Sequence, residues 1–435
     1  MKITKLDTRK IKIEVDKIRK KQYIQSNDID KIVEKIVRDI RLSGDKALFS
    51  LTKKFDNFVI NKNNIKVDSE LIKSSIYNVS TKVKSAIRKS VKRVKDYQAK
   101  KLPKSYKYKD EYGNVLGWNV KPLERIGIYV PGGTASYPSS LIMTGTLAKV
   151  AGCKEIVVAT PPSKEGINPA ILYTAMHLGI NEIYQIGGAQ AIAALAYGTK
   201  SLNKVDKIVG PGNIFVATGK KKVFGAVDID MIAGPSEVLI ISDKNSNPKY
   251  VAADLIAQAE HDVDATAICL TTSKKHAERI LDEIRIQSSM LSRRDIIRKS
   301  MKSNGKIFLL NNLDDCVEFS NYFAPEHLEI FVKNPTKIEK KIINAGSIFL
   351  GENSAEAFGD YIAGPSHVLP TSGSATFSSP LSVLDFMKYS SYSKISQKGV
   401  NALGDDVIAL ASEEGLDGHA NSIKVRLKRE VEVVK

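Results

Sequence analysis

The chain is 435 residues long, 43% hydrophobic and 26% charged, with three cysteines and a formal net charge of +18. That length and balance describe a folded protein large enough for two or three domains, and exclude a disordered or fibrous chain. No apolar run approaches the roughly 20 residues of a membrane-spanning helix. Met1 to Lys21 is dotted with Lys and Arg around no apolar segment, which argues against a secretory leader and for a cytoplasmic protein without a membrane partner. Cys153, Cys269 and Cys316 are far apart, odd in number and without a CxxC pair. They read as small buried hydrophobes in a reducing compartment.

Residues 1–110 hold 31 Lys and Arg against 13 Asp and Glu, the whole of the basic excess, and the remainder is neutral. This quarter carries amphipathic helical patterns at Ile29 to Ile40 and Leu71 to Val94, so Lys-rich solvated faces account for its charge. No zinc finger, RNA-binding aromatic motif or glycine-rich RNA clamp accompanies it, and no nucleic-acid partner is expected. A turn-rich, hairpin-like piece follows around Asp110 to Trp118. From Arg125 the texture changes. Short apolar runs at Arg125–Val130, Glu155–Thr160, Glu182–Ile186, Lys207–Val209, Val238–Ser242, Thr266–Thr272, Lys306–Leu310, Leu328–Val332 and Ser347–Leu350 alternate with helical patterns. The helical stretches include Ser139–Val150, Pro169–Leu178, Ala189–Ala196, Tyr250–Glu260, Lys274–Arg285 and Thr336–Asn344. Strands alternating with longer helices predict an α/β fold of parallel sheets flanked by helices, and this many strands suits two sheets. After Pro380 the rhythm stops, and residues 381–435 read as helical.

Glycines cluster behind the strands of the first series: Pro131-Gly132-Gly133, Gly187-Gly188-Ala189-Gln190 and Gly210-Pro211-Gly212-Asn213. Each follows a strand and opens a helix, where free N–H groups and the helix dipole favour an anion such as a pyrophosphate. None is a GxGxxG fingerprint; the nearest has Phe215 in place of the third glycine. Gln258-Ala-Glu-His261 puts Gln258 and His261 on one helix face. Gly359-Asp360-Tyr361 and Ser366-His367-Val368 read as parts of a Gly/Pro/Ser-rich loop, and His419 follows Gly415 and Gly418. Imidazoles among acids and amide oxygens suit a borderline divalent ion. His177 and His276 lie in plain helical pattern and read as structural. Glu326 and His327 sit side by side between Pro325 and an apolar strand, offering two proton acceptors of different ordinary pKa.

The sequence resembles the histidinol dehydrogenase family. The matching segments run in family order: Gly127 to Gly133, Ile186 to Ala196, Val209 to Asn213, Asp230 to Val238, Ala253 to His261, Ala324 to Glu329, Ala345 to Gly351, Gly359 to Tyr361 and His367 to Thr371. The resemblance spans roughly residues 120 to 425 and is loose over the basic N-terminal quarter. It implies zinc, one per subunit, on Gln258, His261, Asp360 and His419, and an acid–base pair in Glu326 and His327. It implies substrate contacts from Ser236, Gln258, His261, His327, Asp360, His367, Glu414 and His419, and NAD contacts from Tyr129, Gln190 and Asn213. It further implies a homodimer with shared active sites, the tail reaching the partner subunit. The reaction it implies is the NAD-dependent four-electron oxidation of L-histidinol via L-histidinal to L-histidine, the last steps of histidine biosynthesis.

The expected architecture is two Rossmann-like parallel-sheet domains, incomplete and without GxGxxG, plus a helical N-terminal region and a C-terminal tail. The divisions are 1–22; 23–128 with 237–379 for the metal and catalytic residues; 129–236 for the NAD side; and 380–435. A zinc hydrolase using Glu326 to activate water would explain the metal set but leave three glycine-rich strand ends idle. A related dehydrogenase of another small alcohol should lose the groups that read an imidazole, whereas Glu414 and His419 are present.

Overall fold

A computed structural model describes residues 1–22, 27–132 and 137–428. Gly133 of the first glycine cluster lies outside them. The strands are β1 (Lys2–Lys5), β2 (Tyr106–Lys109), β3 (Val115–Pro122), β4 (Arg125–Tyr129), β5 (Glu155–Thr160), β6 (Glu182–Gln185) and β7 (Lys207–Val209). They continue as β8 (Asp228–Ile229), β9 (Glu237–Ser242), β10 (Thr266–Thr271), β11 (Lys306–Leu309), β12 (His327–Phe331), β13 (Ser347–Leu350) and β14 (Met387–Lys394).

Two sheets are wholly parallel. One has five strands in the order β6-β5-β4-β7-β8, the other six in the order β1-β11-β10-β9-β12-β13. The apolar runs form central strands because a parallel sheet covered by helices on both faces buries every side chain. Alternation then assigns each residue to a face. On β9, Val238 and Ile240 pack with Val251 and Leu255 of the helix Pro248–Ala259. Leu239 and Ile241 pack on the other face with Phe319 and Phe323 of the helix Leu313–Phe323 and with Ile11, Val15 and Ile18 of the helix Ile11–Gln22. The helix Pro248–Ala259 starts sharply, with Pro248 in its first turn and Asn247 Oδ1 accepting the Lys249 N–H at 3.0 Å. The helix Asn27–Ser43 buries Val33, Ile36, Val37 and Ile40 in the core of the five-stranded sheet.

The contacts divide the chain into two compact units, Met1–Lys101 with Leu123–Phe386, and Leu102–Pro122 with Met387–Lys435. The first holds both parallel sheets. The second contains an antiparallel sheet of order β14-β3-β2 and the helices Gln397–Glu413 and Asp417–Lys424. Three local readings are corrected. The stretch after Pro380 is not all helical, because Met387–Lys394 pairs with β3 as an edge strand. Seven of its eight residues are exposed, so it carries no apolar alternation. The N-terminal extension opens with a strand, β1, added beside β11. The helix expected over Thr336–Asn344 stops at Glu339. All three cysteines are free and buried. No helix of the described residues is long and apolar enough to cross a membrane.

Candidate active site

Glu326 and His327 occupy the amino end of the six-stranded sheet. The helix Leu313–Phe323 ends at Ala324, Pro325 prevents its continuation, and His327 opens β12. Both side chains are buried. Both are held by one neighbouring residue, Glu237, at the start of β9. The Glu237 N–H donates to Glu326 Oε2 at 2.8 Å, and the Glu237 carbonyl lies 3.0 Å from His327 Nδ1. A carbonyl oxygen can only accept, so Nδ1 carries the imidazole proton and Nε2 presents a lone pair. That Nε2 is buried without a hydrogen-bond partner, 3.8 Å from Asp360 Oδ1. On its far side Glu326 is fastened to β13: the Ser347 N–H donates to the Glu326 carbonyl at 2.9 Å and the Gly346 N–H to the Pro325 carbonyl at 2.8 Å. Gly346 is required by this approach, because a Cβ there would stand 2.5 Å from the Glu326 carbonyl oxygen.

Gln258, His261 and Asp360 converge beside the pair. Gln258 is fully buried near the end of the helix Pro248–Ala259, with His261 one turn on. Asp360 lies in the helix Glu356–Tyr361, not in a loop; a six-residue helix interrupted by Gly359 leaves too short a period to be recognised. His261, Glu356 and Asp360 bring one ligand atom each within 4.8 Å of one another. The Gln258 amide, oriented to satisfy its surroundings, donates to Glu356 Oε1 at 2.8 Å. His367 Nδ1 donates to the Asp360 carbonyl at 2.9 Å. Ser236 directly precedes Glu237, and its carbonyl accepts the Thr266 N–H at 2.9 Å. Glu414, at the end of the helix Gln397–Glu413, and His419, in the helix Asp417–Lys424, are exposed residues of the second unit.

Burial sets the charges. It pushes the Glu326 carboxyl well above the ordinary carboxylate range, and lowers His327 so that the neutral imidazole is favoured, with Asp360 opposing. Glu356 is raised well by burial and then by the neighbouring carboxylates of Asp360, Glu329 and Glu326. Desolvated carboxyl groups beside an imidazole lack countercharge, and a divalent cation is the natural partner for such a donor set. The residues present therefore fit a zinc ion.

Sequence reasoning missed Glu356 and Glu237. Glu356 had a faint signal, its i, i+4 spacing to Asp360. Glu237 had none, because its role runs through its backbone.

Tyr129, Gln190 and Asn213 gather at the carboxyl edge of the five-stranded sheet. Tyr129 ends β4, Gln190 stands in the first turn of the helix Gly188–Tyr197, and Asn213 caps the helix Ile214–Val223, accepting from the Phe215 N–H at 3.1 Å. The Gly188 N–H donates to the Tyr129 hydroxyl at 3.1 Å, and Gln190 Nε2 to Asp56 Oδ2 at 3.1 Å. Gly210 (φ 115°) comes so close to Tyr129 that a Cβ would lie 2.1 Å from the Tyr129 carbonyl oxygen. The strand order reverses at β4 and β7, the place where open α/β sheets bind ligands. Two glycine-led helix starts at that crevice fit a dinucleotide.

Residues 19–427 match the family model described as histidinol dehydrogenase. The chain belongs to the histidinol dehydrogenase family. It is 50% identical over 412 residues to the histidinol dehydrogenase of Clostridium acetobutylicum, covering 94% of this chain and 95% of that protein. It is 49% identical over 411 residues to that of Caldanaerobacter subterraneus subsp. tengcongensis, with 94% and 95% covered. The crystal structure of histidinol dehydrogenase from Elizabethkingia anophelis superposes with a TM-score of 0.92 at 38% identity, covering 98% of each chain. The chain is thus an oxidoreductase of this family, and its α/β architecture of parallel sheets is the family's own.

Proposed function

We propose that the protein oxidises L-histidinol through L-histidinal to L-histidine with two NAD⁺ and one water, in the cytoplasm, as a homodimer. Gln258, His261 and Asp360, with His419 from the second subunit, would hold zinc, which would orient the substrate through its nitrogen atoms. NAD⁺ would lie against Tyr129, Gln190 and Asn213 and accept hydride. The observation that most supports this reading is the bare, buried Nε2 of His327.

An alcohol C–H releases hydride readily only while its O–H proton is being taken. His327 Nε2 is the acceptor suited to that proton, because Nδ1 is committed to the Glu237 carbonyl. A positioned general base contributes about 10²–10⁴-fold to such a step. The aldehyde must add water before a second hydride can leave. Glu326 is the base for that water, since burial raises its carboxyl above the ordinary carboxylate range and so makes it a stronger proton acceptor. His327, having released the alcohol's proton to solvent between the two oxidations, then takes the hydrate's proton in the second. The aldehyde would stay bound between the steps, beside a pair whose burial limits solvent access. Ser236, His367 and Glu414 would complete the substrate contacts.

The test is an assay of zinc-replete protein with histidinol and NAD⁺. Two NADH and one histidine per histidinol are expected. NADH formed only from another alcohol would favour a related dehydrogenase, and turnover of an ester or amide without NAD⁺ would favour a hydrolase.

A further inference from the structure

Because the Glu237 backbone holds Glu326 through its N–H and His327 through its carbonyl, whatever fixes Glu237 governs the pair. Its carboxyl is fully buried. It forms an ion pair with Arg19, accepts Gln22 Nε2 at 2.9 Å, and accepts the Ser372 N–H at 3.2 Å. Arg19 and Gln22 end the helix Ile11–Gln22, which the core anchors through Ile11, Val15 and Ile18.

The same guanidinium donates to the Phe323 carbonyl and, at 3.4 Å, to the Ala324 carbonyl, and it lies 3.8 Å from the centroid of the Phe323 ring. Ala324 adopts φ 47° two residues before Glu326. For a residue with a Cβ the left-handed region is sterically disfavoured, so this turn needs outside support. Arg19 reaches both sides of it, the residue from which the pair is hung and the turn that delivers Glu326. A planar fork with several donors can span these acceptors together, whereas a lysine ammonium is a single point charge.

We propose that Arg19 is a positioning residue for the Glu326–His327 pair, making the N-terminal helix part of the catalytic apparatus. The inference rests on the reading of that pair as acid–base groups. Without the guanidinium, the Glu237 carboxylate is left buried without its cation and the turn loses its brace. Misplacement of reacting groups by about 1 Å costs on the order of 10²-fold in rate. Most of the proposed substrate contacts (Gln258, His261, Asp360, His367, Glu414 and His419) lie outside this brace, so the loss falls mainly on kcat and less on KM.

The experiment compares Arg19→Ala, Arg19→Lys and His327→Asn in the zinc-replete full chain, measuring kcat, KM, bound zinc and Tm. Arg19→Ala is expected to lose on the order of 10²-fold in kcat with zinc retained, and ethylguanidinium should restore part of the activity. Arg19→Lys, which keeps a buried cation and the fold, should fall between Ala and parent. The proposal is overturned if either variant folds and keeps the parental kcat, or if the loss follows zinc content or Tm and resists rescue. Should Arg19→Ala not fold, Arg19→Lys decides alone: an unrescued parental kcat overturns the proposal, a lowered kcat with zinc and Tm intact supports it. His327→Asn separates the two levels. If it retains turnover, the acid–base reading fails; if it abolishes turnover while the Arg19 variants stay parental, only the positioning role fails.

Discussion

Gly346→Ala probes the site without touching any group proposed to react. A Cβ at this position would stand 2.5 Å from the Glu326 carbonyl oxygen, against about 3.4 Å for ordinary contact, so the backbones must part by about 0.9 Å. The obstacle is main chain and cannot rotate away, and Glu326 is also tied to Ser347 at 2.9 Å. Relief therefore requires moving Glu326 itself or opening the start of β13. Overpacking of this kind costs about 1–3 kcal/mol in stability. A shift near 1 Å in a reacting group is worth on the order of 10²-fold in rate. The variant should accordingly fold with a lowered Tm, bind zinc, and lose turnover far beyond its loss of stability. Steady-state NADH formation from histidinol, with melting and zinc content in parallel, measures all three. Parental kcat in folded Gly346→Ala would refute the claim that this contact sets the position of Glu326.

Glu326→Gln should spare the alcohol-to-aldehyde step more than the aldehyde-to-acid step, as read by quenched product analysis; equal loss in both would contradict the division of roles. His261→Ala should lose zinc and activity together, by metal analysis and turnover, and stoichiometric zinc with full activity would remove His261 from the site. Mixing inactive His419→Ala and His327→Ala proteins should restore partial activity through hybrid dimers with one intact composite site. No recovery after demonstrated subunit exchange would count against shared sites.

The parallel sheets were legible because their buried strands are nearly continuous apolar runs, as in Thr266–Thr271. β14 was not, since a mostly exposed edge strand such as Met387–Lys394 has no apolar face to announce it. Side-chain chemistry was legible where residue type narrowed the options, and the bottom-up reading singled out Gln258, His261, Glu326, His327 and Asp360 before any fold was known. Geometry set by backbone groups was not. Nothing in the identity of Glu237 says that its N–H meets an acid and its carbonyl an imidazole. The N-terminal extension 1–22 was expected to be helical but gave no sign of its partner, so the reach of Arg19 across more than 200 positions to Glu237 needed three dimensions.

The Glu237 N–H that holds Glu326 also makes an internal reporter. The Glu237 amide proton is buried and donated to a carboxyl group whose ionisation changes the strength of that bond. In a nuclear magnetic resonance spectrum this proton should move downfield when Glu326 ionises and exchange slowly with solvent. One backbone resonance would then follow the protonation of a side chain that is otherwise silent, in the resting protein and with substrate added.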